Sequence, residues 1–457
     1  MARIAFFHNA LGKTDGVSLE VDKWRWCLEQ LGHEVFYCAG NDDVAHLHCI
    51  PELSFFHPET NRILKNATVR LADFTETELE AAIMRQKEVI KGKLLAWIKA
   101  QRIEVLIPNN LLSVGYHLPA LIALSEVIEE TGLPTIAHNH DFYFEESGEI
   151  HPTCPLAWNI LDRYSPPAFA NVQNVVINRL SQQALATRKQ IAARVVPNVF
   201  DFNQAPWRAD AYNADFRAAM ALGPNDIVLL QATRVMLRKG IELAIDVVGE
   251  VGRPENRRKL EAQPLYDGRR FTAQDRIVLL CVGHIEEFGS TADYSAHLQQ
   301  RARAQGVDLR FVGTRVKHSR GQDAQGKLYS LWDSYAHADI VTYPSWWEGW
   351  GNQFVEAIFA KLPVVLFEYP VYKSDLAQDG FEVVSLGDKL TGKDALGLET
   401  VPRAVVQTAA AATVAALTDK ARRAQMVDTN FEIARRKYSY QALLQIVQEL
   451  LRKAGIA

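Results

Sequence analysis

The sequence predicts an α/β protein made of two doubly wound domains, and three observations carry that prediction. Short apolar runs bounded by turn residues alternate with longer stretches of helical period, which is the pattern of parallel strand and helix units. The runs fall into two series, each about the size of one domain, in a chain of 457 residues. With 48% hydrophobic and 23% charged residues, the composition is that of an ordinary folded chain and excludes wholesale disorder.

In the first series Ala2–His8, Glu34–Gly40, Val105–Asn110, Pro134–His140 and Val172–Asn178 read as strands, and Val195–Pro197 closes the sheet. The apolar run from Ile4 to Phe7 is too brief for the apolar core of a signal peptide. Helices are expected near residues 17–31, 78–101, 119–131 and 180–192. The stretch from Asn41 to about Asp73 has no clear period and reads as irregular.

The second series comprises Asp226–Thr233, Arg276–Gly283, Asp308–Gly313, Asp339–Ser345, Leu362–Tyr369 and Glu382–Leu386, with helices near 240–250, 292–304, 326–335 and 351–360. Residues 252–275 are polar and unpatterned, which suggests a surface excursion. Segments rich in Ala, Arg and Gln finish the chain as helices from about 402 to 454. The expected domains are 1–198, 199–435 and a final helix, 436–457, returning to the first domain. Asn198–Pro206 reads as a hinge, whose closure would exclude water from a cleft between the domains.

Charge and cysteine usage narrow the function. Fifty Lys+Arg against 54 Asp+Glu give a net charge of −4, so no global basic field gathers nucleic acid and any anion site is local. Five cysteines without a CxxC pair indicate neither a zinc ribbon nor a disulfide framework, and point to a reduced, cytoplasmic setting. No run approaches the ~18 apolar residues of a transmembrane helix. Peripheral membrane contact and oligomeric state stay open.

Two segments of the second domain carry chemistry. In Pro344-Ser-Trp-Trp-Glu348-Gly349-Trp350-Gly351-Asn352-Gln-Phe-Val-Glu356, a strand gives way to a Gly-containing loop and then a helix. Backbone N–H groups and the positive helix end there suit phosphate or hydroxyls. Glu348 and Glu356 straddle that seat and can accept from hydroxyls of one extended ligand. The plainer reading is a loop acid and a solvated helix acid. In Leu230-Gln-Ala-Thr-Arg234-Val-Met-Leu-Arg238-Lys239-Gly240, Arg234 and Lys239 leave a buried strand where a fork and a point charge can clamp a diphosphate.

Together these segments resemble the retaining family-4 glycosyltransferases, whose architecture of two Rossmann-like domains facing across a cleft is called GT-B. Arg-x4-Lys-Gly, then Glu-x7-Glu-Ala about a hundred residues later, is similar to the signature of their nucleotide-sugar domain. Val196-Pro-Asn198-Val-Phe-Asp201 looks like their Pro-Asn-Gly-Val-Asp turn, with Val199 in place of Gly and one residue added. Asp15-Gly16-Val17-Ser18 resembles their Gly-Gly-Val loop, where Gly16 lets backbone approach donor phosphates. His140-Asp141 matches their His-Asp pair, in which the His approaches the transferred sugar.

The resemblance implies a hexosyltransferase that moves a sugar from a nucleotide-diphosphate donor to a hydroxyl acceptor with retention. The resemblance further implies that neither a metal nor a resident cofactor is required. Arg234 and Lys239 would hold the diphosphate, His140 and Glu348 the donor sugar, and Glu356 the ribose. Gly16, Gly349, Trp350, Gly351 and Asn352 would complete the donor site. Trp346, Trp347 and Trp350 can line a sugar or base pocket, although aromatic residues at a strand end more often serve packing. His138–Tyr143 and Tyr343–Phe354 look most like members that glycosylate small acceptors, including those making glycosylglycerate-type solutes. Two other enzyme classes compete. His138, His140 and Asp141 also fit the start of a metal-dependent hydrolase site, and a GT-B sugar-nucleotide epimerase shares the architecture. No motif separates UDP, GDP and ADP.

Overall fold

The computed structural model describes residues 1–12, 16–42, 46–145, 150–286 and 293–456. The chain forms two units, Met1–Val199 with Tyr440–Ala457, and Phe200–Ser439. The segment expected to act as a hinge is divided at this border: Asn198 and Val199 are buried in the first unit, and Phe200 and Phe202 pack on Phe359 in the second.

The first unit is a parallel sheet of seven strands: β1 (Arg3–His8), β2 (Glu34–Ala39), β3 (Leu47–Cys49), β4 (Val105–Pro108), β5 (Thr135–Asn139), β6 (Val172–Val176) and β7 (Ala193–Val195). Their order is β3-β2-β1-β4-β5-β6-β7. Alternation along β1 fills two cores, as a pleat requires. Ala5 and Phe7 face α3 (Glu76–Gln101), α4 (Leu118–Thr131) and α5 (Pro155–Tyr164). Ile4 and Phe6 face α1 (Gly16–Gln30) and the last helix, α15 (Tyr440–Lys453), which inserts Leu443, Val447, Leu450 and Leu451 beside Val21 and Trp24. The chain's end is thus part of the first unit's core. The stretch expected to be irregular contains β3 and α2 (Pro58–Thr68).

The second unit has a parallel sheet of six strands, β8 (Ile227–Gln231), β9 (Ile277–Cys281), β10 (Asp308–Phe311), β14 (Ile340–Tyr343), β15 (Val364–Leu366) and β16 (Val384–Ser385), in the order β10-β9-β8-β14-β15-β16. Between β10 and β14 lie three short strands, β11 (Val316–Lys317), β12 (Gly321–Asp323) and β13 (Gly326–Ser330), which form a sheet of their own. The helix expected at 326–335 is therefore only α11 (Leu331–Ala336), started by a capping box between Ser330 and Asp333. The expected surface excursion holds α9 (Pro254–Glu261), a polar helix that buries only Asn256 and Leu260. Helices α8 (Ile241–Val251) and α13 (Arg403–Thr418) cover one face of the large sheet. Strand order reverses between β8 and β14, and the crevice beyond such a switch point is where open α/β sheets bind ligands.

Candidate active site

Both motif segments of the second unit leave the strands at this switch point, Ala232–Gly240 after β8 and Pro344–Gly351 after β14. Backbone packing locks the two loops together. Trp346 N donates to Arg238 O at 3.1 Å. Gly240 has φ +59°, and a Cβ there would collide with the Pro344 carbonyl, so both its conformation and its neighbour require glycine. Gly240 also opens α8, so Lys239 is fixed at the base of that helix.

Lys239 is 4% exposed, and its Nζ donates to Glu348 Oε1. Arg238 Nη1 donates to Glu348 Oε2 at 2.8 Å and to Trp347 O at 2.9 Å, with its guanidinium over the Trp347 ring. Burial alone would raise the Glu348 carboxyl, but the charges of Lys239 and Arg238 outweigh it and hold Glu348 below the ordinary value. Burial pulls Lys239 down to about 8 despite Glu348, and Arg238 and Arg234 push the same way. Arg234 Nη1 donates to Glu286 Oε2 at 2.6 Å. Three cations and two carboxylates therefore meet in one place, with charge to spare for an anion. Of these, Arg238 and Glu286 were given no role on sequence. Arg238 stands inside the motif, but Glu286 is tied to it only by the tertiary fold.

The segment Gly349, Trp350, Gly351, Asn352 leads into α12 (Asn352–Phe359), whose positive end faces the space above the strand ends. A Cβ on Gly351 would collide with the Tyr369 hydroxyl, which donates to Trp350 O at 2.6 Å. Trp350 departs from expectation: its indole is 4% exposed and packs edge-on against Tyr438, so the side chain is core and only its backbone faces the loop. Glu356, in the first turns of α12, accepts from the Tyr335 hydroxyl at 3.0 Å. Tyr335 itself packs at a tilt against Trp207, with ring centroids 5.1 Å apart. Burial keeps the Tyr335 phenol protonated and a donor.

In the first unit, His140 and Asp141 follow β5 and are held by Asn110, a residue with φ +57° after β4. Asn110 Oδ1 accepts from His140 N at 2.7 Å, and its Nδ2 donates to Asp141 Oδ2 at 3.3 Å. Sequence reading missed Asn110, whose only signal was its place at a strand end. Gly16 opens α1 with nothing among the described residues within 4 Å of a built Cβ, so their packing does not demand glycine there. Asp15 lies outside the described residues. His138 is 1% exposed and wedged between Trp24 and the His140 ring, 4.6 and 4.3 Å away between centroids. Burial first, and His140 second, push its pKa well below the ordinary value, so it is a neutral core residue. Among the described residues no group of three His, Cys, Asp or Glu converges as a metal site would need.

Solved structures match this architecture over the whole chain. A Rickettsia africae glycosyltransferase aligns over 99% of this chain and 98% of its own with a TM-score of 0.60 at 12% identity. Sucrose-phosphate synthase from Thermosynechococcus elongatus covers 100% and 99% with a TM-score of 0.60 at 13%, and Anabaena HepE in complex with UDP-glucose covers 99% and 100% with 0.57 at 16%. The fold is that of the GT-B glycosyltransferases, two Rossmann-like units in one chain. No family model matches the chain. A mannosylglucosylglycerate synthase of Petrotoga mobilis is 37% identical over 386 residues, 84% of this chain and 87% of its own. A second, from Thermotoga maritima, is 35% identical over 446 residues, 97% and 98% of the two chains. The chain belongs to the mannosylglucosylglycerate synthase family and is a glycosyltransferase. Membership of this family displaces the hydrolase and epimerase readings. No helix among the described residues is long and apolar enough to cross a membrane.

Proposed function

We propose that the protein adds a mannosyl group from a nucleotide-diphosphate mannose to glucosylglycerate, with retention and without a metal. The observation that carries this reading is identity above a third across nearly the whole length of two mannosylglucosylglycerate synthases. The cluster of Arg234, Arg238 and Lys239 supports it, because cleaving a sugar–phosphate bond builds negative charge on the departing diphosphate, which fixed cations stabilise. Arg234 and Lys239 hold the diphosphate, aided by the positive end of α12. Glu348 keeps lone pairs for a sugar hydroxyl while it neutralises Lys239. Glu356, aimed by Tyr335, accepts from the ribose, and His140 is the first unit's candidate for a sugar contact.

In the reaction the bond from the anomeric carbon to phosphate breaks as the acceptor oxygen bonds to that carbon on the same face. The acceptor's proton passes to the departing phosphate oxygen. Incubation of the purified protein with glucosylglycerate and UDP-, GDP- or ADP-mannose, with and without EDTA, tests the reading. One donor should yield a mannosylated product whose anomeric configuration by NMR equals the donor's, and EDTA should not slow it. Product from another sugar or acceptor alone, inversion, or loss of activity on chelation would each remove the corresponding part.

A further inference from the structure

The residue expected to clamp the donor's phosphates already holds an anion supplied by the protein. Arg234 and Glu286 are paired at 2.6 Å, with 42% of the arginine side chain and 25% of the glutamate exposed. The pairing is built into the backbone. Val235 N donates to His284 O at 2.9 Å, and Glu286 N donates to Val235 O at 3.0 Å. Gly283 allows the two loops to touch, since a Cβ there would run into the Thr233 carbonyl.

The other carboxylate of the cluster is committed differently. Glu348 is 8% exposed and bound through both oxygens to Lys239 and Arg238. Opening that pair would leave a buried charge without a partner, whereas opening the Arg234–Glu286 pair frees a carboxylate that is a quarter exposed and already reached by water. The exchangeable anion of the cluster is therefore Glu286.

We propose that Glu286 competes internally for Arg234 with the diphosphate of the nucleotide-sugar donor and of the nucleoside diphosphate left after transfer. Arg234 trades the glutamate for phosphate oxygens when either binds and takes it back on release. This weakens donor and product alike, which favours turnover, and it admits only ligands with enough negative charge to displace a carboxylate. The inference rests on the donor-site reading above.

Calorimetric titration of the full chain with UDP, GDP and ADP and their nucleosides tests it, on the unaltered protein, Glu286→Gln, Arg234→Gln and the double variant. The pair is part-exposed, so Glu286→Gln should tighten diphosphate binding by about 1.5- to 5-fold. Nucleoside binding should not change, and the gain should vanish in the Arg234→Gln background. Equal or weaker diphosphate binding in Glu286→Gln, or a gain that persists without Arg234, overturns the proposal. Failure of the donor-site reading looks different: the unaltered protein would bind none of the three diphosphates, or Arg234→Gln would bind them as well as it does.

Discussion

The role proposed for Lys239 ties protonation to binding. Burial holds it at about 8, so in the ligand-free protein it sheds its proton as pH rises through that value. Only the charged form attracts phosphate, so nucleoside diphosphate affinity should be full below this point and fall above it by up to about tenfold per pH unit. Calorimetric Kd values from about pH 6.5 to about pH 9.5 would show this, and a flat profile would exclude Lys239 from the anion site. Arg238→Ala removes one of two charges balancing the nearly buried Glu348, and should cost about 1–3 kcal/mol in urea unfolding. Tyr335→Phe removes one hydrogen-bond donor to Glu356. It should weaken nucleotide binding by roughly fivefold, about 1 kcal/mol, with kcat little changed. At this scale the sequence could reveal residue types in a motif, such as Arg234, Lys239 and Glu348. It could not reveal Tyr335 or Glu286, because nothing in their own surroundings along the chain marks the partners that folding brings to them.

Among elements, strands were legible wherever both faces are covered, because burial on two sides leaves an unbroken apolar run, as in β1, β8 and β9. Elements that bury little left no such trace. β3 is three half-buried residues with His48 at its centre, and α9 turns almost every side chain to water. Gly-Lys-Leu-Tyr-Ser, before α11, carries residues acceptable to either state, and pairing with β11 and β12 decides for strand. The joint between the two motif loops is an element-scale device, and Gly240→Ala tests it. The left-handed φ alone costs an alanine about 1 kcal/mol, and the Pro344 carbonyl stands where the new methyl must go. A drop in melting temperature together with loss of nucleoside diphosphate binding is expected. A variant that binds normally would show that the loops need no such joint.

On the scale of the molecule, the last helix decides the integrity of the first unit. Val447 is fully buried with Trp24 and Leu28, so Val447→Asp should destabilise that unit by about 3 kcal/mol or more, seen as early loss of its tryptophan fluorescence signal in urea. An unchanged transition would mean that α15 only decorates the surface. Two doubly wound units were legible from the two series of apolar runs, but no residue marked the return of the chain, since nothing in an amphipathic helix states which sheet it covers. The chain leaves the first unit after Val199 and re-enters at Tyr440, while Phe200 pairs with Ser439 across the second unit's two ends. The second unit is thus an uninterrupted stretch inserted into the first. On the ribosome, at roughly 5–20 residues per second, the first unit waits for tens of seconds with the face meant for α15 uncovered, while the second is made and is free to fold before it.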